Sequence, residues 1–372
     1  MRRSGWLVTA VAVVAAAGAV AATAPAWTSG ARPEATTAAR THRAAGASRS
    51  LRPAPVIPAL GSPAAQVIGG PLMASTGIVV DPSADTGAPV PDVPASAWVI
   101  ANADTGQVLA AKDPHGEYGP ASTLKVQTAV TLIPLLNPSA QVVASQLATS
   151  QEPSSANLIT GRMYNVADLF RALLMISAND AAVALTEATG SFDKGMALIN
   201  AEAQHLQAYD VVAKLPNGLD ATGQVVSAYD EALIARQALS MPAFMAYDGT
   251  LTSRLELQPG EWETLFNQNY LLTQYPGGIG GKIGWTTPAE ATYVGLARRN
   301  GVTLIVTVLH CTAQQEVTSG EQLLDWGFAM NGKVRAVGTL VPPLAPPPAA
   351  IHRAKRARVV SRPQATRYPV PR

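Results

Sequence analysis

The order of hydrophobic periods constrains this chain most: strand-length apolar runs stand at both ends of its central body, and helix-period segments fill the middle. Residues 98–103 and 108–111 flank the turn Asp104-Thr105-Gly106-Gln107, which predicts a hairpin. Helical spacing follows from near Ser122 to 133, where Pro134 stops it, and again over 166–175, 180–189, 192–206 and 228–239. After Gly277 the pattern becomes strand-like over 279–283, 291–297 and 302–309, and an amphipathic helix over 319–330 closes the body. Strands at both ends with helices between them predict an α/β (α+β) architecture: one antiparallel sheet built from both ends, flanked by helices, with a helical lobe.

The chain has 372 residues and is 48% hydrophobic, so a sizeable core is possible. Its net charge of +2 conceals an asymmetry. Residues 1–80 carry seven Lys or Arg and one acid; 81–340 carry thirteen against twenty-four; 341–372 carry seven and no acid. An acidic body between basic, Pro-rich flanks argues against a nucleic-acid partner. The lone cysteine, Cys311, cannot form an internal disulfide and reads as a small core residue at a strand end.

Residues 1–26 read as an export signal: Arg2 and Arg3, an apolar stretch from Trp6 to Ala22, and the small-residue triplet Ala24-Pro25-Ala26. A retained anchor is the competing reading, although an Ala-rich run of this length is short for about 30 Å of hydrocarbon. Residues 27–90 are expected to form a disordered Ala/Pro/Arg-rich linker, 91–335 a single folded domain, and 336–372 a Pro-rich, basic, disordered tail.

Three short motifs carry chemistry. Ser122 and Lys125 stand one turn apart at a helix start, so an amine can lie beside a hydroxyl and activate it without histidine. Ser177-Ala178-Asn179 falls in a break between two helices, and Lys282-Ile283-Gly284-Trp285-Thr286 follows a Gly-rich approach on a strand. Each alone is an ordinary cap or an edge lysine. Together, in this order, they resemble the S-x-x-K, S-D-N and K-T-G set of penicillin-recognising serine enzymes.

From about Trp98 to Met330 the chain resembles the low-molecular-mass D-alanyl-D-alanine carboxypeptidases of the actinobacterial type. Asp104 to Leu109, Pro120 to Lys125, Ser177 to Ala182, Pro216-Asn217-Gly218-Leu219-Asp220 and Gly280-Gly281-Lys282 also fit that family's patterns. The resemblance implies the penicillin-binding-protein fold shared with serine β-lactamases and transpeptidases. It implies an exported enzyme acting at the cell wall or membrane surface on stem peptides ending in D-Ala-D-Ala, with β-lactams as acylating inhibitors. Ser122 would be the nucleophile, Lys125 the general base and Ser177 the proton relay. Asn179 and Lys282 would bind substrate, and the N–H groups of Ser122 and Trp285 would form the oxyanion hole. Ile283 departs from the pattern, since a hydroxyl expected to hold the terminal carboxylate is missing. Thr286 and Thr287 are the candidates to replace it. The loss predicts roughly ten- to a hundredfold slower turnover.

Three other readings share these residues. A β-lactamase needs a Glu after the second motif, whereas Glu152-Pro153 precedes it. A DD-endopeptidase would use the same groups. A catalytically weakened wall-binding protein would account for Ile283 but not for an intact Ser122, Lys125, Ser177, Asn179 and Lys282. The basic tail could lie on an anionic wall polymer or a membrane surface. The five histidines show no ligand spacing and no Gly-rich phosphate loop is present, so neither a metal nor a cofactor is expected.

Overall fold

The computed structural model describes residues 67–81 and 88–345. The predicted signal peptide, most of the linker and most of the tail lie outside the described residues. Three strands come first: β1 (Ile78–Val80), β2 (Ala95–Asn102) and β3 (Gln107–Lys112). The chain then turns helical through α1 (Leu124–Leu132), α2 (Gln146–Thr149), α3 (Val166–Met175), α4 (Asn179–Glu187), α5 (Phe192–His205), α6 (Ala228–Leu239) and α7 (Pro242–Asp248). Two ribbons interrupt or follow it, β4 (Gln141–Val143) with β5 (Met163–Asn165), and β6 (Thr252–Gln258) with β7 (Glu261–Phe266). After α8 (Leu271–Gln274) come β8 (Gly278–Thr286), β9 (Glu290–Arg299), β10 (Val302–Cys311), α9 (Glu316–Met330) and β11 (Gly338–Thr339).

The main sheet runs β1-β3-β2-β10-β9-β8, all antiparallel, with β11 also on β3. Strands from the two ends of the body therefore meet at the β2–β10 seam, as the hydrophobic order predicts. Asn300 and Gly301 form the two-residue β9–β10 turn with φ of 50° and 81°. Asn-Gly tolerates these left-handed values, and such turns match the twist of the paired strands.

Side-chain alternation divides the core between the two faces of the sheet. In β2, Ala97, Val99 and Ala101 face the helices of the lobe, whereas Trp98 and Ile100 face α9. In β10, Ile305 and Leu309 join the first cluster, while Leu304, Val306 and Val308 join the second. Period two is what lets one sheet fill two cores. Helix α1 is buried all round, as a helix enclosed by neighbours must be. Its polar side chains find partners inside: Gln127 donates to the Ile199 carbonyl at 2.9 Å and Thr128 to the Pro216 carbonyl at 2.7 Å.

The folded body extends beyond 91–335. Ile78–Val80 covers one half of the outer edge of β3 and Gly338–Thr339 the other. Leu340 and Met73 are fully buried. These pieces carry too few apolar residues to show a period, and they order because a sheet edge and a core supply their partners. Among the described residues, no helix is long and apolar enough to cross a membrane.

Candidate active site

Ser122 lies in a 3-10 turn, Ala121–Thr123, that leads directly into α1. Ala121 adopts φ 45°, a left-handed conformation that costs roughly 1–2 kcal/mol for a residue with a Cβ. The turn is braced at the Pro120 carbonyl, which accepts from Thr123 Oγ1 at 2.6 Å and from Thr292 Oγ1 of β9 at 2.8 Å. Gly218, at φ 80°, packs so closely on the Ala121 carbonyl that a Cβ there would overlap it. Strain of this kind persists only where the surroundings over-determine it.

Lys125, one turn on, is wholly buried. Its Nζ is hydrogen-bonded to Ser122 Oγ at 2.8 Å and donates to the Asn217 carbonyl at 2.5 Å. Burial lowers its pKa well below that of an ordinary lysine, the nearby Lys282 ammonium lowers it further, and Asp180 opposes both. The result favours a neutral amine touching the serine hydroxyl. This is the arrangement that allows a lysine to accept a proton.

Strand β8 forms the opposite wall and is the last strand of the sheet. Lys282 is buried and pushed down to about 7 by burial, partly countered by Asp248. Its Nζ donates to the Ile283 carbonyl at 2.6 Å. Asp248 in turn accepts from the Gly281 N–H at 2.6 Å, and burial drives it up to about 7. A Cβ on Gly284 would lie 2.6 Å from Ser122 N and 2.5 Å from Thr292 Oγ1, so only glycine lets β8 approach the serine this closely. Ile283 packs instead on the α9 side, opposite Tyr293 of β9.

Thr286 does not replace the hydroxyl missing at 283. It is buried, donates to Asp220 Oδ1 at 2.8 Å, and accepts from the Ala289 N–H at 3.2 Å. Strand alternation is the reason: Thr286 shares the face of Lys282 and Gly284, not that of Ile283. Its hydroxyl ties the Pro216–Asp220 loop to β8, and the same loop supplies Asn217 to Lys125.

The third wall comes from the break between α3 and α4. Ser177 holds φ 63° there and is nearly buried. Asn179 donates through Nδ2 to the Glu152 carbonyl at 2.8 Å, while its buried Oδ1 has no hydrogen-bond partner. Asp180 receives Ser155 Oγ at 2.6 Å and the N–H groups of Ala156 and Leu158 at 3.0 and 3.1 Å, pinning the 152–158 segment against α4. Glu152 thus contributes a carbonyl, and its side chain is exposed.

These walls enclose a cleft of about 270 Å³ whose lining includes Ser122, Ser154, Ser177, Ile283, Trp285 and Glu316. Trp285 is 60% exposed at its rim. The structure therefore brings Ser122, Lys125, Ser177 and Lys282 to one place. Sequence reasoning gave no role to Asn217, Asp248, Glu231 or Glu316. Of these, only Asn217 stood in a segment that had drawn attention.

A nucleophile, a buried amine and a serine-bearing loop beside an edge strand define the penicillin-recognising serine enzymes, and solved structures of that class share the fold. The chain superposes on a penicillin-binding protein homologue from Mycobacterium tuberculosis with a TM-score of 0.67 and 34% identity, covering 70% of this chain and all of that one. The Streptomyces K15 DD-transpeptidase gives a TM-score of 0.62 at 26% identity, over 65% of this chain and all of that one. The family model for D-alanyl-D-alanine carboxypeptidase matches residues 84–313, and the chain belongs to that family of serine peptidases. It is 37% identical to D-alanyl-D-alanine carboxypeptidase DacB2 of Mycobacterium tuberculosis over 68% of this chain and 88% of the relative. With DacF of Bacillus subtilis it shares 27% identity, spanning only 62% of that protein.

Proposed function

We propose that this protein removes the terminal D-alanine from cell-wall stem peptides through an acyl-enzyme on Ser122. The observation that carries the reading is the Lys125 Nζ–Ser122 Oγ hydrogen bond, made by a fully buried amine next to a second buried lysine. Lys125 takes the hydroxyl proton as Oγ attacks the carbonyl between the two D-alanines. The tetrahedral oxyanion lies against the N–H groups of Ser122 and Trp285. Ser177 passes the proton to the leaving amine, and water then releases the shortened peptide. β8 is the last strand of the sheet, and the peptide can lie along its outer edge as an added strand, with Asn179 as the binding residue from the other side. The reaction places the protein outside the cytoplasm, consistent with the signal-like first 26 residues, and the basic tail is a candidate contact to an anionic wall polymer or membrane.

The test is D-alanine release from a peptide ending in D-Ala-D-Ala, with intact-mass detection of the acyl-enzyme and mapping of the label to Ser122. Release without any label on Ser122 would overturn the mechanism, and neither release nor label would overturn the activity. A penicillin is expected to label the same serine. Gly284→Ala is expected to slow that labelling by about ten- to a hundredfold, because β8 must retreat from Ser122 N. Stopped labelling assays on the two proteins check it, and equal rates would mean that β8 does not need this approach.

A further inference from the structure

A second hollow, of about 390 Å³, adjoins the turn that holds Ser122 and has no role in the reading above. Its lining includes Gly119 and Pro120 before the nucleophile, Asp220, Thr222 and Gln224, and Pro288 just past the end of β8. Of its lining residues, Asp220 alone carries a formal charge. The Asp220 side chain is exposed, and among the described residues it joins no ion pair. Its place is fixed all the same. Oδ1 accepts from Thr286 Oγ1 at 2.8 Å, which holds the carboxylate level with Thr286, one residue past Trp285 at the cleft rim. The buried Gln224 secures the loop from behind, donating through Nε2 to the Leu219 carbonyl at 2.7 Å.

The direction of a bound peptide along β8 follows from its two ends. The Trp285 N–H faces the scissile carbonyl, and residue 283 stands where the terminal carboxylate lies. The acyl half therefore runs on past Trp285, at about 3.3 Å per residue along an added strand, and its next residue comes level with Thr286 and Asp220. A side chain leaving the strand there can enter the hollow. The space suits an unbranched chain, and the single carboxylate suits a cation at its end. A lysine-like side chain supplies both: a four-carbon stem to lie against Pro120 and Pro288, and an ammonium to reach Asp220.

We propose that this hollow is the subsite for the residue immediately before D-Ala-D-Ala, that it takes a cationic side chain, and that Asp220 is the residue that selects it. The inference rests on the acyl-transfer reading above and adds a part of the same substrate to it. The terminal D-alanine still leaves with its free carboxylate. The preference belongs to the pH range in which the substrate's ammonium keeps its proton. It is also screened by salt, because Asp220 is exposed.

Three Nα-acetylated tripeptides separate the possibilities, with lysine, Nε-acetyl-lysine or norleucine before D-Ala-D-Ala. D-alanine release is measured for the full chain and for Asp220→Asn, at low and at high salt. The wild type is expected to favour the lysine peptide over the other two by about three- to fivefold in kcat/KM at low salt, mainly through KM. High salt should bring the three peptides together. Asp220→Asn should do so already at low salt. Asparagine keeps an Oδ1 that can accept from Thr286, so the loop stays tied to β8 while the charge is lost. The salt comparison needs no variant, so it tests the inference even if Asp220→Asn folds poorly. Equal wild-type rates at low salt, a lysine preference that persists at high salt, or one unmoved by Asp220→Asn overturns this inference and leaves the acyl-transfer reading intact. No D-alanine from any peptide and no acyl-Ser122 overturns both.

Discussion

Lys125→Met is expected to slow acylation of Ser122 by about a thousandfold, and Ser122→Ala to abolish it. Methionine fills much the same buried space without an amine, so the loss would report chemistry rather than packing. The wild-type acylation rate should rise with pH as Lys125 gives up its proton, with the midpoint well below that of a free lysine because burial and Lys282 both disfavour its charge. Lys282→Gln removes one of those two causes, so the midpoint should move to higher pH. Pre-steady-state labelling by a penicillin across pH 5 to 9 measures both effects. A midpoint unmoved by Lys282→Gln would mean that burial alone tunes the base. An undiminished rate in Lys125→Met would assign the base elsewhere.

Much of this site was legible in the sequence because its parts are local. Ser122 and Lys125 stand one turn apart, and Ser177 in the α3–α4 break lies two residues before Asn179 at the start of α4. Helices 166–175 and 228–239 were placed to the residue by apolar periodicity ended by polar or turn residues. The β6–β7 ribbon was missed, since it presents one mostly exposed face and only Leu255, Leu257 and Leu265 go inward. β1 and β11 were missed for another reason. Each is an edge segment whose partner, β3, lies far along the chain.

The unread site residues have the same character. Asn217 reaches Lys125 across 92 positions, and Asp248 reaches Gly281 across 33. A main-chain carbonyl such as that of Asn217, or a single carboxylate such as that of Asp248, carries no periodic signal, and its partner is known only from what the fold sets beside it. Glu316 fell outside the helix expected over 319–330, which in the structure begins three residues earlier, at Glu316 itself. Ile283 shows the reverse. Its sequence departure was plain, but only the register of β8 shows that Thr286 is turned away and already bonded to Asp220.

Glu231 is the unread residue whose loss should be felt most. It is fully buried on α6, and its Oε1 is hydrogen-bonded to Thr123 Oγ1 beside the nucleophile. Thr123 also bonds the Pro120 carbonyl at 2.6 Å. A hydroxyl has one proton, so if Thr123 gives it to Pro120, Glu231 must be the donor and therefore protonated. Burial pushes Glu231 up to about 8; the Thr123 bond opposes this and Asp230 adds to it. A neutral carboxyl thus braces the strained turn that holds Ser122. Glu231→Ala leaves a cavity and takes away one of the two partners of the Thr123 hydroxyl. It is expected to cost about 2–4 kcal/mol in stability and to slow acylation about a hundredfold. Glu231→Gln can donate from its amide and should keep activity within about threefold. The two forms also differ in pH dependence. The native carboxyl holds its proton up to about 8, whereas the ordinary value is 4.5. Its contribution is whole below 4.5, falls as pH rises between these values, and is gone above about 8. Denaturant melts from pH 5 to 8.5 should therefore show wild-type stability falling relative to Glu231→Gln, by up to about 1.4 kcal/mol per pH unit. Parallel curves would mean that Glu231 is ionised in the native state, and the proton would then belong to Thr123.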